Sequence, residues 1–304
     1  MTAIWTRINT LLLLLVLFAL VGLAGMFAAG VLGGPLDPPG PPAATDSVRL
    51  PGTPISSLPY IASQPGHYYL TRSLSIPLGS PDIGIHITAD DVTLDLGGFT
   101  ITGVDPLEQN AINVDGARAH ISNGTLRNAV GVEAAGSVGL RISGVAVYDS
   151  AYSAFRVGPG TLIEDCIVSG NGEYGLYLQA SFPGGSRVTI RRCVIRNNGL
   201  AGVHMAQSAN GVLIEDSVIK GNNTSASVTS AGIVINDADD TTVRGNDMAF
   251  NGVADIYVLG DNNVIVDNII SCPTSIVLVG GSINTFAPVN TTDPHTNRAH
   301  RLAC

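Results

Sequence analysis

Ile190-Arg-Arg-Cys-Val-Ile195, Gly202-Val-His-Met205, Ile214-Glu-Asp-Ser-Val-Ile219 and Gly232-Ile-Val-Ile235 follow one another along the stretch that decides the fold. Two short patterns alternate in it, and both recur in either direction. The four-residue pattern is found at Gly84-Ile-His-Ile87, Ala111-Ile-Asn-Val114, Gly131-Val-Glu-Ala134, Ala154-Phe-Arg-Val157, Gly175-Leu-Tyr-Leu178, Gly202-Val-His-Met205, Gly232-Ile-Val-Ile235, Asp255-Ile-Tyr-Val258 and Ser275-Ile-Val-Leu278. Successive copies are 27, 20, 23, 21, 27, 30, 23 and 20 residues apart. The second and fourth residues are apolar in every copy, which is the period-two alternation of a strand with one face turned inward.

The six-residue pattern begins and ends on an apolar residue: Leu96 to Ile101, Ile121 to Leu126, Ile142 to Val147, Ile163 to Val168, Ile190 to Ile195, Ile214 to Ile219 and Val243 to Met248. Asn and Gly follow it, as in Ser169-Gly-Asn-Gly172 and Arg196-Asn-Asn-Gly199, supplying residues that tolerate left-handed turns. A coil of some twenty residues cannot bury its own apolar side, but coils stacked about 4.8 Å apart share a continuous core. Helix pairs would need a sustained 3.6-residue period, and leucine-rich repeats their own consensus; neither is present. The reading is an all-β, single-stranded right-handed parallel β-helix, a solenoid of about nine coils with an N-terminal cap. It covers residues 48–290, with Val48 to Leu78 as cap and first coil and 291–304 as a C-terminal tail.

Stacking carries further expectations. Glu164-Asp165, Arg191-Arg192 and Glu215-Asp216 fall at equivalent places in three coils, the order that ion pairing between coils selects. Cys166 superposes on Cys193, with Ser217 next, giving either stacked thiols or a disulfide; Cys272 and Cys304 are the other possible disulfide partners. Asn171, Asn198 and Asn251 form a turn ladder of hydrogen-bonded amides.

Ahead of the domain, Arg7 precedes an apolar run from Leu11 to Leu32. Residues 1–32 read as a signal peptide or an uncleaved signal anchor, and the Pro/Gly-rich residues 33–47 as a stiff linker. Both readings place the domain outside the cytoplasm, secreted or membrane-anchored, with membrane contact only through an uncleaved N-terminal segment. The net charge of −9 argues against nucleic acid as a partner. The cysteines have no CxxC spacing, and neither a metal site nor a cofactor is expected.

Two stretches carry a family likeness. Ile55-Ser-Ser-Leu-Pro59 with Gln64-Pro-Gly-His-Tyr-Tyr-Leu70, and Ala89-Asp-Asp-Val-Thr-Leu-Asp-Leu-Gly-Gly-Phe-Thr-Ile-Thr-Gly103, look like the opening coils of many exported bacterial surface proteins. With the coil pattern, the chain resembles exported right-handed parallel β-helix repeat proteins of the pectate-lyase-like superfamily. That resemblance implies a polysaccharide-related protein; relatives with known roles include lyases, glycosidases, uronan epimerases and phage tail-spikes. Their catalytic signatures are mostly missing. The polygalacturonase set (Asn-Thr-Asp, Asp-Asp, Gly-His-Gly, Arg-Ile-Lys) is reduced to Asp239-Asp240, and the epimerase Asp-Pro-His-Asp to Asp293-Pro-His-Thr296 in the tail.

Candidate site residues come from the third position of the repeat. His86, Asn113, Glu133, Arg156, Tyr177, His204 and Tyr257 should lie along one outer face, flat and hydrogen-bonding side chains at regular spacing that suit an extended glycan. Val234 and Val277 share that face, as on an ordinary solvated sheet. The expected function is a non-catalytic surface scaffold whose partner is a polysaccharide or surface glycan. Two alternatives stand beside it. One is a polysaccharide lyase or glycoside hydrolase using the turn carboxylates Asp237, Asp239, Asp240 and Asp261, since a glycosidase needs two carboxyls about 5–10 Å apart. The other is a structural assembly unit. The sequons at Asn123, Asn222, Asn223 and Asn290 have meaning only in a glycosylating host.

Overall fold

The computed structural model describes residues 52–78, 82–104, 109–179, 185–225, 231–270, 276–278, 284–286 and 298–299. The N-terminal apolar segment, the linker, Cys272, Cys304, Asn290 and Asp293-Pro-His lie outside the described residues. Within them every strand pairing is parallel, and two sheets hold all but the turns. Each coil gives one strand to a ten-stranded sheet and either two short strands or one long strand to a nineteen-stranded sheet. The ten-stranded sheet runs from Tyr60–Ala62 to Ile276–Leu278 and contains all nine copies of the four-residue pattern.

The register explains the pattern. Ile85, Ile112, Val132, Phe155, Leu176, Val203, Ile233 and Ile256 stack one above another, each wholly buried. Their counterparts two residues on do the same, so each apolar side chain is covered by the coils above and below it. Ile121, Ile142, Ile163, Ile190, Ile214 and Val243 build the facing wall from the nineteen-stranded sheet, also fully buried. In this sheet the chain turns through one left-handed residue per coil: Asn123, Gly144, Asp165, Arg192, Asp216, Gly245 and Asp267 all have positive φ. Asn, Asp and Gly are the residues that bear this conformation at least cost.

The coil that holds Leu94 and Leu96 departs from the expected alignment. Leu94, not Leu96, is the register partner of Ile121, while Ile101 still pairs with Leu126. Gly97 and Gly98, both at positive φ, take up the two extra residues in a turn and fold Leu96 inward. Gly124 must then lack a side chain, because its Cβ would collide with Leu96.

Polar order between coils follows the same logic. Glu164 is almost buried and accepts hydrogen bonds from Arg141, Arg191 and Arg192, while Glu215 takes Arg244. The guanidiniums, Arg191 first, hold the Glu164 carboxyl below the usual range. Cys166 and Cys193 are buried thiols in contact, with their S–H groups directed at the Glu164 and Arg191 carbonyls. The column continues through Ser217, Asn246 and Asn268.

The expected asparagine ladder has one more member. Asn171 Nδ2 donates to Asn198 Oδ1, Asn198 to Asn222 and Asn222 to Asn251, at 2.8, 2.8 and 3.0 Å. Asn251 donates to the buried Asp255 carboxylate at 2.8 Å. Asn222 escapes the four-residue spacing because its coil is lengthened before Ile233. The ladder also accounts for Gly175, Gly202 and Gly232: a Cβ on any of them would press on a ladder amide and on a carbonyl of the next coil. Burial of Asn222 and of Asn223 closes both as glycan acceptors. At the far end Arg298–Ala299 pairs with Ile269–Ile270, so paired strands reach into the stretch read from sequence as tail.

Replacing Asn198 with Ala strands the Asn171 side-chain amide and backbone N–H and takes one of two donors from Asn222 Oδ1, and should cost about 3 kcal/mol in chemical unfolding. A maleimide should leave Cys166 and Cys193 unmodified in the native protein and label both in denaturant, as read by mass spectrometry.

Candidate functional site

The outer face of the ten-stranded sheet carries the third position of each repeat, in the order Ile61, His86, Asn113, Glu133, Arg156, Tyr177, His204, Val234, Tyr257, Val277. All seven candidate residues of the stripe therefore stand in one column, but they do not form one surface. His86 is tied to Asp115 at 2.6 Å, near the N-terminal end of the stack. Glu133, Arg156, Tyr177 and His204 form a continuous group. The Arg156 guanidinium reaches Glu133 at 3.3 Å and lies 5.5 Å from the Tyr177 ring centre. Tyr177 and His204 are stacked with ring centres 5.5 Å apart and planes 6° from parallel. Neighbouring strands hold side chains at about this spacing, so the stack follows from the backbone.

Tyr257 stands apart, beyond Val234. The expectation that Val234 sits on a solvated face is corrected: it is 3 % exposed. Ala201, Ala231 and Ala254 leave room beside it, and Tyr174, Tyr257 and Val277 close over the gap to make a small second apolar cluster.

Tyr174 is the residue that the pattern missed. It precedes Gly175 in the turn, off the alternating strand, yet its ring lies 4.6 Å from that of His204 and 5.5 Å from that of Tyr177. An aromatic directly before the repeat glycine is the available sequence signal. Under this cover His204 loses water, and burial pushes its pKa down to about 4. At neutral pH it is an uncharged imidazole able to donate one hydrogen bond and accept another. Burial likewise raises the Tyr174 hydroxyl.

These rings border an open hollow of about 550 Å³, lined by Arg156, Tyr177, Gln179, His204, Ala206, Gln207 and Asn236. Gln179, Gln207 and Asn236 come from the C-terminal ends of the strands, where side chains turn toward the corner. Among the described residues no carboxylate lines it. The turn carboxylates are on that corner and have structural work. Asp237 accepts from Gln207 Nε2 at 2.6 Å, and Asp239 accepts from the Asp261 backbone N–H at 2.7 Å. Asp240 and Asp261 are joined through their backbones, Asp240 N–H donating to the Asp261 carbonyl. Among the described residues no three His, Cys, Asp or Glu side chains converge as a metal site.

Residues 83–231 match the family model described as a right handed beta helix region. No curated protein matches the chain. Among solved structures it is similar to an alginate lyase from Paenibacillus sp. str. FPU-7, at 16% identity and a TM-score of 0.58, covering 73% of this chain and 89% of that one. The mannuronan C-5 epimerase AlgE4 A-module of Azotobacter vinelandii aligns at 13% identity and 0.42, covering 78% and 91%. The AlgE6 A-module of the same organism aligns at 16% and 0.38, covering 74% and 77%.

The His204 shift has a definite sign. Its pKa falls from 6.5 unfolded to about 4 folded, so the neutral form is favoured by folding. Stability is full above the unfolded value, is lost as pH falls from 6.5 toward 4, and then levels, a span of about 3 kcal/mol. His120 shifts the same way through burial and Arg141. Thermal melts of the wild type and His204→Phe at pH 7 and pH 4.5 isolate the contribution: the drop in melting temperature should be smaller in the variant.

Proposed function

From a chain that is a right-handed parallel β-helix repeat protein of the pectate-lyase-like fold, we propose a polysaccharide-binding scaffold that acts outside the cytoplasm. It holds an extended glycan in the hollow around Tyr177 and His204 without cleaving it. One observation carries the reading. Two parallel rings and a guanidinium border an open hollow whose other polar walls are the amides of Gln179, Gln207 and Asn236. The Tyr177 hydroxyl, the His204 imidazole and the three amides exchange hydrogen bonds with sugar hydroxyls, and the guanidinium donates to hydroxyls or carboxylates. The fold-level likeness to an alginate lyase supports a carbohydrate, and alginate, a uronate polymer, is the first ligand to try. Hydrolysis is disfavoured because it needs two carboxyls about 5–10 Å apart across the bond, and among the described residues none lines this hollow.

A second reading rests on His204 being neutral beside Tyr177 and Arg156. On a uronate, the imidazole would accept the proton next to the carboxylate, and the Tyr177 hydroxyl would protonate the leaving oxygen as the C–O bond breaks and a C=C bond forms. Arg156 would offset the carboxylate charge.

Calorimetry with alginate and with a neutral cello-oligosaccharide separates these readings. Binding that weakens by about tenfold or more in Tyr177→Ala and in His204→Ala, with no new ultraviolet absorbance from unsaturated product, supports the scaffold. Absorbance growth lost in His204→Ala would establish the lyase instead, and absence of binding to either glycan removes the carbohydrate reading.

A further inference from the structure

The hollow beside Tyr177 and His204 ends at a corner of the solenoid, and beyond that corner is a second hollow of about 320 Å³. It is lined by Gly185, Arg187, Asn210, Gly211 and Asp240. The second hollow is cut into three of the four coils that line the first. Gln179 walls the first and Arg187 the second in one coil; Gln207 and Asn210 do so in the next, Asn236 and Asp240 in the third. Asn210 is three positions after Gln207 and Asp240 four after Asn236, so their Cα atoms are at most about 10–14 Å apart.

The ridge between them is tightly hydrogen-bonded. Ser208 N–H donates to the Asp237 carbonyl and Gly211 N–H to the Asp239 carbonyl, both at 2.9 Å. Asp239 N–H donates to Asn210 Oδ1 at 2.9 Å, and Gln207 binds Asp237. A ligand crossing here meets a preformed surface. The second hollow has a guanidinium, a carboxylate and an amide but no ring face. That chemistry suits sugar hydroxyls and acidic groups by hydrogen bonding alone.

Movement along the solenoid axis is less favourable. Past His204 the next outer position is the buried Val234, followed by the apolar cluster under Tyr174 and Tyr257, which offers few polar groups to a sugar. In the other direction Glu133 is already paired with Arg156 at 3.3 Å, which leaves it less to offer a sugar.

Building on the reading of the first hollow as a polysaccharide site, we propose that the Arg187–Asn210–Asp240 hollow is a further subsite for the same chain. The bound polymer therefore leaves the Tyr177–His204 groove sideways, over the Gln207–Asn210 corner and within three coils, instead of climbing from coil to coil.

The test is calorimetry of the full chain with a uronate disaccharide and octasaccharide prepared from alginate. Arg187 and Asp240 both have positive φ, so Asn is the substitution that keeps the backbone. The octasaccharide should bind more tightly than the disaccharide, and Arg187→Asn should weaken the octasaccharide by about tenfold while the disaccharide changes less than about twofold. Asp240→Asn should also act on the octasaccharide alone. Glu133→Gln and Tyr257→Ala, on the axial path, should leave the length dependence intact. The proposal is overturned if Arg187→Asn and Asp240→Asn leave octasaccharide affinity unchanged in proteins that melt as the wild type does. Transfer of the length dependence to the Glu133 or Tyr257 variants would equally overturn it, in favour of an axial path. Failure of both oligosaccharides to bind the wild type strikes the first hollow's uronate reading and this one with it, whereas a disaccharide bound as tightly as the octasaccharide strikes this one alone.

Discussion

Everything in this molecule depends on parallel pairing of each coil with the next in unchanged register. A strand of three residues cannot hold itself together, but here each inward side chain is buried between two equivalents of itself and each backbone amide has a partner one coil away. Phe155 over Leu176 over Val203 is one such column, and Ile163 over Ile190 over Ile214 faces it from the other sheet. Since a shift of one residue would turn every apolar group outward, register and burial enforce each other.

That coupling makes much of the fold legible in the residues. Strict alternation in nine copies marks the inner wall, and the Glu164, Arg191 order announces an ion pair between coils, whereas Glu215 pairs onward with Arg244 and not back to Arg191. Misreadings occurred where coil length varies. Leu96 was placed on the Ile121 column because a spacing of five residues suited it, whereas Gly97 and Gly98 absorb two residues and hand that place to Leu94. Asn222 was left out of the ladder for the same reason. Local spacing is a good guide only while consecutive coils are equally long.

The outer face was legible as a column but not as a surface. Sequence spacing assigns His86, Tyr177 and Tyr257 equal standing, because alternation says which way a side chain points and nothing about what folds over it. Tyr174 lies off the strand, yet its ring packs on His204, whose pKa burial lowers, and on the apolar cluster around Val234. Gln179, Gln207 and Asn236 were invisible for a related reason: they lie where the strands bend into the corner. The turn carboxylates attracted a catalytic reading by their type, and the hydrogen bonds of Asp237 and Asp239 show why acids recur there.

The asparagine row running from Asn171 to Asp255 has a direction. Asn171, Asn198 and Asn222 each give one amide hydrogen to the asparagine of the next coil, and Asn251 gives one to the Asp255 carboxylate, which only accepts; Asn222 and Asn251 turn their other hydrogen back to the Ile195 and Ile219 carbonyls. Aligned dipoles of this kind reinforce one another. A coil bearing asparagine could thus be duplicated or deleted within the row without upsetting its polarity, since each unit presents the same donor to one side and the same acceptor to the other. Asp255 has no such freedom. Moved into the middle, it would offer no amide to the neighbour beyond it and the series would split in two. The length of this amide row, as distinct from that of the solenoid, is set by the place of a single carboxylate.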